Sequence, residues 1–302
     1  MSKSYQEGLC ERKSKFDKNV LQMACEKGNV KLVKSLIESG CNKESMDTDG
    51  LTPLIYASRD GHLEVVQYLI SIGANKEAKQ KDGWSSLIYA SQLGHLEVVK
   101  CLIASGANKE TKNKYGKTPL NYASENGQLE VVKYLVSVGA NKESKANNGW
   151  TPLIDASWNN KLEIVKYLIS IGADKEAKDK DGMTALMIAS RDGRHEVVKY
   201  LISVGANKET KSNNEETALM IASRLGRLEV VIYLISAGAY KEAKDKYGFT
   251  PLILASSNGK LEVVKYLISI GADIKAKTKN GKTALSLSNG QTKDYLLSIG
   301  AK

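Results

Sequence analysis

The side chains able to do chemistry are few in kind and regular in spacing. His62 and His95 each follow a glycine, and His195 stands one step later, in a slot that is otherwise leucine. A zinc peptidase needs two histidines one helical turn apart with a glutamate beside the first, and that spacing does not occur. None of the histidines belongs to a Cys/His cluster, so no metal site is expected. Carboxylates are plentiful, but Glu64, Glu97, Glu130, Glu163, Glu196, Glu229 and Glu262 recur at one fixed interval. A solvated glutamate repeated in that way is a surface residue, not half of an acid–base pair. Glycine fingerprints for dinucleotides or phosphates are absent, and the glycines fall where turns and helix ends need them. No catalytic residue and no cofactor is expected, and the chain does not read as an enzyme.

The four cysteines, Cys10, Cys25, Cys41 and Cys101, show no CxxC spacing. Three of them fill slots that hold Ser (Cys25), Ala (Cys41) and Tyr (Cys101) in other copies of the repeat described below. They are predicted to be packing residues rather than a disulfide framework, which points to a reducing compartment: the cytoplasm, with the nucleus as the alternative.

The elements that carry these residues are set by a period of 33. Gly50, Gly83, Gly116, Gly149, Gly182, Gly248 and Gly281 mark the same point of successive copies, and Glu215 alone interrupts the series. A fixed period of this size is the mark of stacked repeats, each packing on its neighbours. Residues 1–15 form a polar lead-in without the apolar stretch of a signal peptide. Residues 16–302 are predicted to be one repeat domain, with an opening cap at 16–48, seven full copies over 49–279 and a shortened closing cap at 280–302. Within a copy, the turn glycine is followed by Thr52, Ser85, Thr118, Thr151, Thr184, Thr217, Thr250 or Thr283, whose hydroxyl can cap a helix start. All four prolines come next, at the first helical position, where no backbone donor is missed. A short Leu-x-x-Ala-Ser helix follows and stops at Gly61, Gly94, Gly127, Gly193, Gly226 or Gly259, the left-handed end position. In the second helix the spacing of Leu96, Val99, Leu102 and Ile103 predicts a buried stripe, with Glu97 and Lys100 on the wet face. Glu215 is expected at positive φ, and Asn160, in a helix-ending glycine slot, tolerates the same geometry.

Gly-x-Thr-Pro-Leu, then Ala-Ser, Gly-x-Leu-Glu-Val-Val and Gly-Ala, resembles the ankyrin repeat, over about residues 16–302. The resemblance implies an all-α solenoid of stacked helix–turn–helix units with β-hairpin or turn fingers. One departure is systematic. The His that usually follows Thr-Pro-Leu is replaced by Ile55, Ile88, Asn121, Ile154, Met187, Met220 and Ile253, so polar ties between units are expected to give way to apolar packing. The uniformity of the copies fits internal duplication or a consensus design.

In the ankyrin family partners are bound by the fingers and the exposed face of the first helices, which form a concave side. Those are the positions where the copies differ. The residues after the turn glycines include Trp84, Trp150 and Phe249, and the first helices carry Tyr89, Tyr122, Asp155, Trp158, Arg191 and Arg224, while Tyr115 and Tyr247 precede turn glycines. Aromatic anchors with arginines nearby are the composition of a binding hot spot. The expected protein-binding residues are therefore Trp84, Tyr89, Tyr115, Tyr122, Trp150, Asp155, Trp158, Arg191 and Arg224. The competing reading for Trp84 and Trp150 is that they brace neighbouring fingers. Tyr68, Tyr134, Tyr167, Tyr200, Tyr233 and Tyr266 recur on the second helix and are assigned to packing between repeats.

The formal net charge of +10 is spread along the chain rather than blocked. No apolar run reaches the ~18 residues of a membrane span. The resemblance makes another protein the expected partner of a monomeric, non-catalytic scaffold, with nucleic acid disfavoured. The alternatives are an electrostatic binder of RNA or anionic lipid, and a designed scaffold with no natural ligand.

Overall fold

The computed structural model describes Cys10 and residues 18–301. The expected lead-in therefore lies outside the described residues, apart from Cys10. The chain forms two compact units, residues 1–147 and 148–302. Eighteen helices run between Val20 and Ser298, and no strand occurs among the described residues. The first unit stacks four helix pairs: Val20–Glu26 with Val30–Glu38, Pro53–Arg59 with Leu63–Ser71, Ser86–Leu93 with Leu96–Ala104, and Pro119–Asn126 with Leu129–Ser137. The second stacks five: Pro152–Trp158 with Leu162–Ser170, Ala185–Arg191 with His195–Ser203, Ala218–Leu225 with Leu228–Ser236, Pro251–Ser257 with Leu261–Ser269, and Ala284–Leu287 with Gly290–Ser298. Each unit is an all-α solenoid of the kind the repeats imply.

Local sequence explains each helix start. Thr52 Oγ1 accepts the N–H of Ile55 at 3.3 Å, and Thr151 does the same for Ile154 at 3.3 Å. The opening copy lacks the threonine, and Asn19 replaces it by forming a reciprocal capping box with Gln22. On the second helix the buried face is Val98, Val99 and Leu102, with Leu96 and Ile103 half-buried. The expected stripe is thus turned: two adjacent valines point inward because the helix packs on its own first helix and on a neighbouring second helix together. The fingers are turns rather than hairpins, and the pairing of Lys79 with Ser85 is an isolated bridge.

Polar ties between repeats are numerous, contrary to the expectation drawn from the missing histidines. His62 Nε2 lies 2.8 Å from Glu26 O and His95 Nε2 2.9 Å from Arg59 O, so each caps the end of the preceding first helix. Gln128 Nε2 donates to Gln92 O, and in the second unit Arg194 and Arg227 donate through Nε to Trp158 O and Arg191 O. These side chains satisfy carbonyls that a helix end leaves unpaired. Their close approach also explains the glycine below them: a Cβ on Gly61 would lie 2.6 Å from the His95 ring. His62 and His95 are therefore half-buried ties between repeats. Successive fingers are joined by main-chain bonds, Lys114 N to Asp82 O at 2.9 Å in the first unit and Lys279 N to Tyr247 O at 2.9 Å in the second.

Two irregular positions behave as expected. Glu215 has φ 61° and Asn160 φ 57°. A left-handed L-residue costs about 1–2 kcal/mol, and glycine escapes most of it. Glu215 recovers part through an exposed ion pair with Lys211 at 3.7 Å. Glu215→Gly should therefore raise the urea midpoint of the second unit by an amount worth about 1 kcal/mol; an unchanged or lower midpoint would refute the strain.

The cysteine expectation needs correction. Cys10 is bonded to Cys41, with Cα atoms 5.3 Å apart. The residues are 31 apart in sequence, and only the fold brings Cys10 against Cys41, which follows the second helix of the opening copy. Cys25 and Cys101 remain free thiols. Burial pushes the Cys25 thiol up to about 12, which keeps it protonated and unreactive.

Candidate partner-binding site

The fingers are stapled from within, and this positions the aromatic residues. Asn113 Oδ1 accepts the N–H groups of Tyr115 (3.0 Å) and Lys117 (3.1 Å), while its Nδ2 donates to Tyr122 Oη at 2.7 Å. Asp179 Oδ1 likewise accepts from Asp181 and Met183, and its Oδ2 takes the indole N–H of Trp150 at 3.2 Å. Asp47, Ser212, Asp245 and Thr278 occupy the same slot. Sequence reasoning missed these residues. The signal was available: an Asp, Asn, Ser or Thr three places before most turn glycines, a side chain that folds back on its own turn.

Asn113 is 6% exposed, so its loss leaves two backbone donors without that acceptor in a dry place. Asn113→Ala is expected to destabilise the first unit by about 2 kcal/mol, read as a lower thermal midpoint; a midpoint equal to the parent's would show that the staple is dispensable.

In the first unit Trp84 leans on two tyrosines. Its ring centroid is 4.9 Å from Tyr89 and 4.3 Å from Tyr122, both tilted. Trp84 and Tyr89 are half-buried, whereas Tyr122 is only 6% exposed. Lys117 Nζ sits 5.4 Å from the Tyr122 ring and pairs with Glu125 at 2.6 Å. Tyr115 stands further out, exposed, with Lys114 Nζ 5.0 Å from its ring and 2.6 Å from Asp82 Oδ1. At the opening end a charged group of different make-up appears. Burial alone would raise Glu26, but hydrogen bonds from Lys18 and Arg59 hold its carboxyl below the usual range. Tyr56 Oη donates to Asp47 beside it, and burial together with that carboxylate pushes the phenol well above its ordinary value.

In the second unit Trp150 and Trp158 form an edge-to-face pair with centroids 4.9 Å apart and planes at 74°. Both are half-buried. Asp155 is on the helix of Trp158 but is 0% exposed. Tyr122 and Asp155 were both expected on the open side and are instead interior, because the first helix buries all but the end of its face. Arg191 Nη2 is bound to Asp192 Oδ2 at 3.0 Å, and Arg224 Nε to Glu216 Oε1 at 3.1 Å. Both guanidiniums thus come with a carboxylate already attached. The structure joins Trp84 with Tyr89 and Tyr122 in one unit, and Trp150 with Trp158 in the other.

No helix among the described residues is long and apolar enough to cross a membrane. The family model for ankyrin repeats (3 copies) matches residues 5–80, 21–113, 87–179 and 171–245, and that for ankyrin repeats (many copies) matches 241–288. A fowlpox virus (strain NVSL) protein named for its ankyrin repeats, FPV223, is 54% identical over 37 residues. That stretch is 12% of this chain and 26% of the viral protein, so the match spans about a quarter of that relative's length. Ankyrin repeats in general mediate contacts between proteins and are not catalytic. With repeat period, helix pairs, caps and family models in agreement over most of its length, the chain belongs to the ankyrin-repeat family.

Proposed function

We propose that the protein is a non-catalytic scaffold or adaptor that binds another protein through its fingers and first helices. In this reading residues 16–302 work as one ankyrin domain, as a monomer; the Cys10–Cys41 bond removes the cysteine argument for a reducing compartment. One observation carries the reading. All three tryptophans lie on the fingers and first helices, half-buried and grouped with other rings, while the second helices repeat nearly unchanged. Rings held by stapled fingers lose little entropy when a partner docks, and partly exposed tryptophan is the residue that most often anchors such contacts. The bound state of Arg191 and Arg224 makes them rim residues rather than free charges in this scheme.

The test is capture from the native cell with two baits, the parent chain and a Trp150→Ala/Trp158→Ala variant. A protein retained by the parent and lost from the variant supports the reading. Equal retention by both would remove the second unit's tryptophans from it.

A further inference from the structure

The basic charge is not equally compensated along the chain. Residues 274–293 hold five lysines and no acid. Lys275, Lys277, Lys279 and Lys282 are exposed, and the first three alternate with buried Ala276 and Thr278, 8% and 7% exposed. In the first unit the corresponding slots are neutralised: Lys114 by Asp82 at 2.6 Å and Lys117 by Glu125 at 2.6 Å. In the second unit Tyr247 stands where Asp82 stands in the first, and no carboxylate lies within ion-pair distance of Lys277, Lys279 or Lys282 among the described residues. The nearby acids are turned to other tasks. Glu242 accepts the N–H of Asp273, Asp245 those of Tyr247 and Phe249, Asp273 that of Lys275, and Glu262 pairs with Lys265.

The finger beside these lysines carries an exposed ring. Lys279 N donates to Tyr247 O at 2.9 Å, which sets the two fingers side by side. Tyr247 is 57% exposed, with Lys246 Nζ 5.1 Å from its ring centre. We propose that these last fingers, around Tyr247, Lys277, Lys279 and Lys282, bind an acidic segment of a partner polypeptide. An extended chain presents alternate side chains on one side about 6.5–7 Å apart, which suits lysines that themselves alternate along a finger. Like charges held within a Debye length of about 8 Å repel one another, and a carboxylate-bearing segment relieves that repulsion. Single-stranded nucleic acid fits less well. It is held by a track of rings for successive bases, often with arginine. Here the Tyr247 ring is partly covered by Lys246, the finger that holds Lys277 and Lys279 has no ring of its own, and no arginine follows Arg227.

The inference rests on the protein-binding reading for the class of partner, but not on the tryptophans. The test uses the full chain and a labelled peptide of about twelve residues with glutamate at every second position, followed by fluorescence anisotropy at low salt. Lys277→Gln/Lys279→Gln/Lys282→Gln should weaken binding about tenfold, the sum of three modest surface pairs. Lys166→Gln/Lys199→Gln, on the second helices, should leave it within about twofold. The Trp150→Ala/Trp158→Ala chain should also keep the peptide, even where it loses a cellular partner, so the two readings fail separately. Absence of binding at low salt, equal affinity in the triple variant, loss of the peptide with the tryptophans, or tighter binding of an oligothymidylate of equal length would each overturn the proposal.

Discussion

Leu201→Ala is expected to lower the stability of the second unit by about 3 kcal/mol. Leu201 is 0% exposed, and its counterparts Leu168, Leu234 and Leu267 in the same unit are equally buried. Truncation removes the transfer energy of the buried carbons and leaves a cavity that rigid neighbouring helices cannot fill. Stability in a stack is also passed to adjacent repeats through their interfaces, so a central defect weakens copies on both sides. Ile202, the next residue, is half-buried and should lose no more than about 1.5 kcal/mol as alanine. Urea unfolding followed by circular dichroism reads both variants. Equal losses would mean that the second helix is rotated from the orientation described above.

Trp158→Ala is expected to weaken binding of a captured partner by about 2 kcal/mol or more, roughly thirtyfold. Trp158 is half-buried, and its ring props that of Trp150 at 4.9 Å. Alanine would remove one contact ring and the support of another, so two anchors suffer from one change. The fold itself should survive. An edge-to-face pair contributes about 0.5–1.5 kcal/mol beyond its area, and Trp150 keeps its bond to Asp179. Trp158→Phe, which preserves a ring without the indole, should fall between parent and alanine. An unaltered affinity in the alanine variant would discard Trp158 as an anchor.

Much of the fold was legible because its signals are local and repeated. Each threonine predicted to cap a helix does so, the prolines stand at the first helical position, and Glu215 and Asn160 have the positive φ that their slots require. What escaped depends on residues far apart in sequence. The bond of Cys10 to Cys41 follows from no spacing rule, and the reach of His95 to Arg59 O, although it recurs at a fixed 36 residues, has a meaning only once neighbouring repeats stack. The candidate site was legible only in part. Variation between copies pointed to the tryptophans, and these are partly open. The same variation pointed to Tyr122 and Asp155, which are interior, since a position can differ between copies because it packs against a different neighbour. The Asn113 and Asp179 staples were visible as a periodic side chain, but their purpose appears only once the finger turns back on them.

In the proposed scheme a partner is held by the fingers and first helices rather than by the second helices. Titration of one captured partner against Trp158→Ala and against Glu163→Ala/Lys166→Ala tests it most directly, because the latter pair sits on the wet face of the second helix of the same repeat, 2.8 Å apart. Affinity should fall about thirtyfold for the first variant and less than about twofold for the second. The reverse order, with the second-helix variant losing the partner and the tryptophan variant keeping it, would put the partner on the second helices instead.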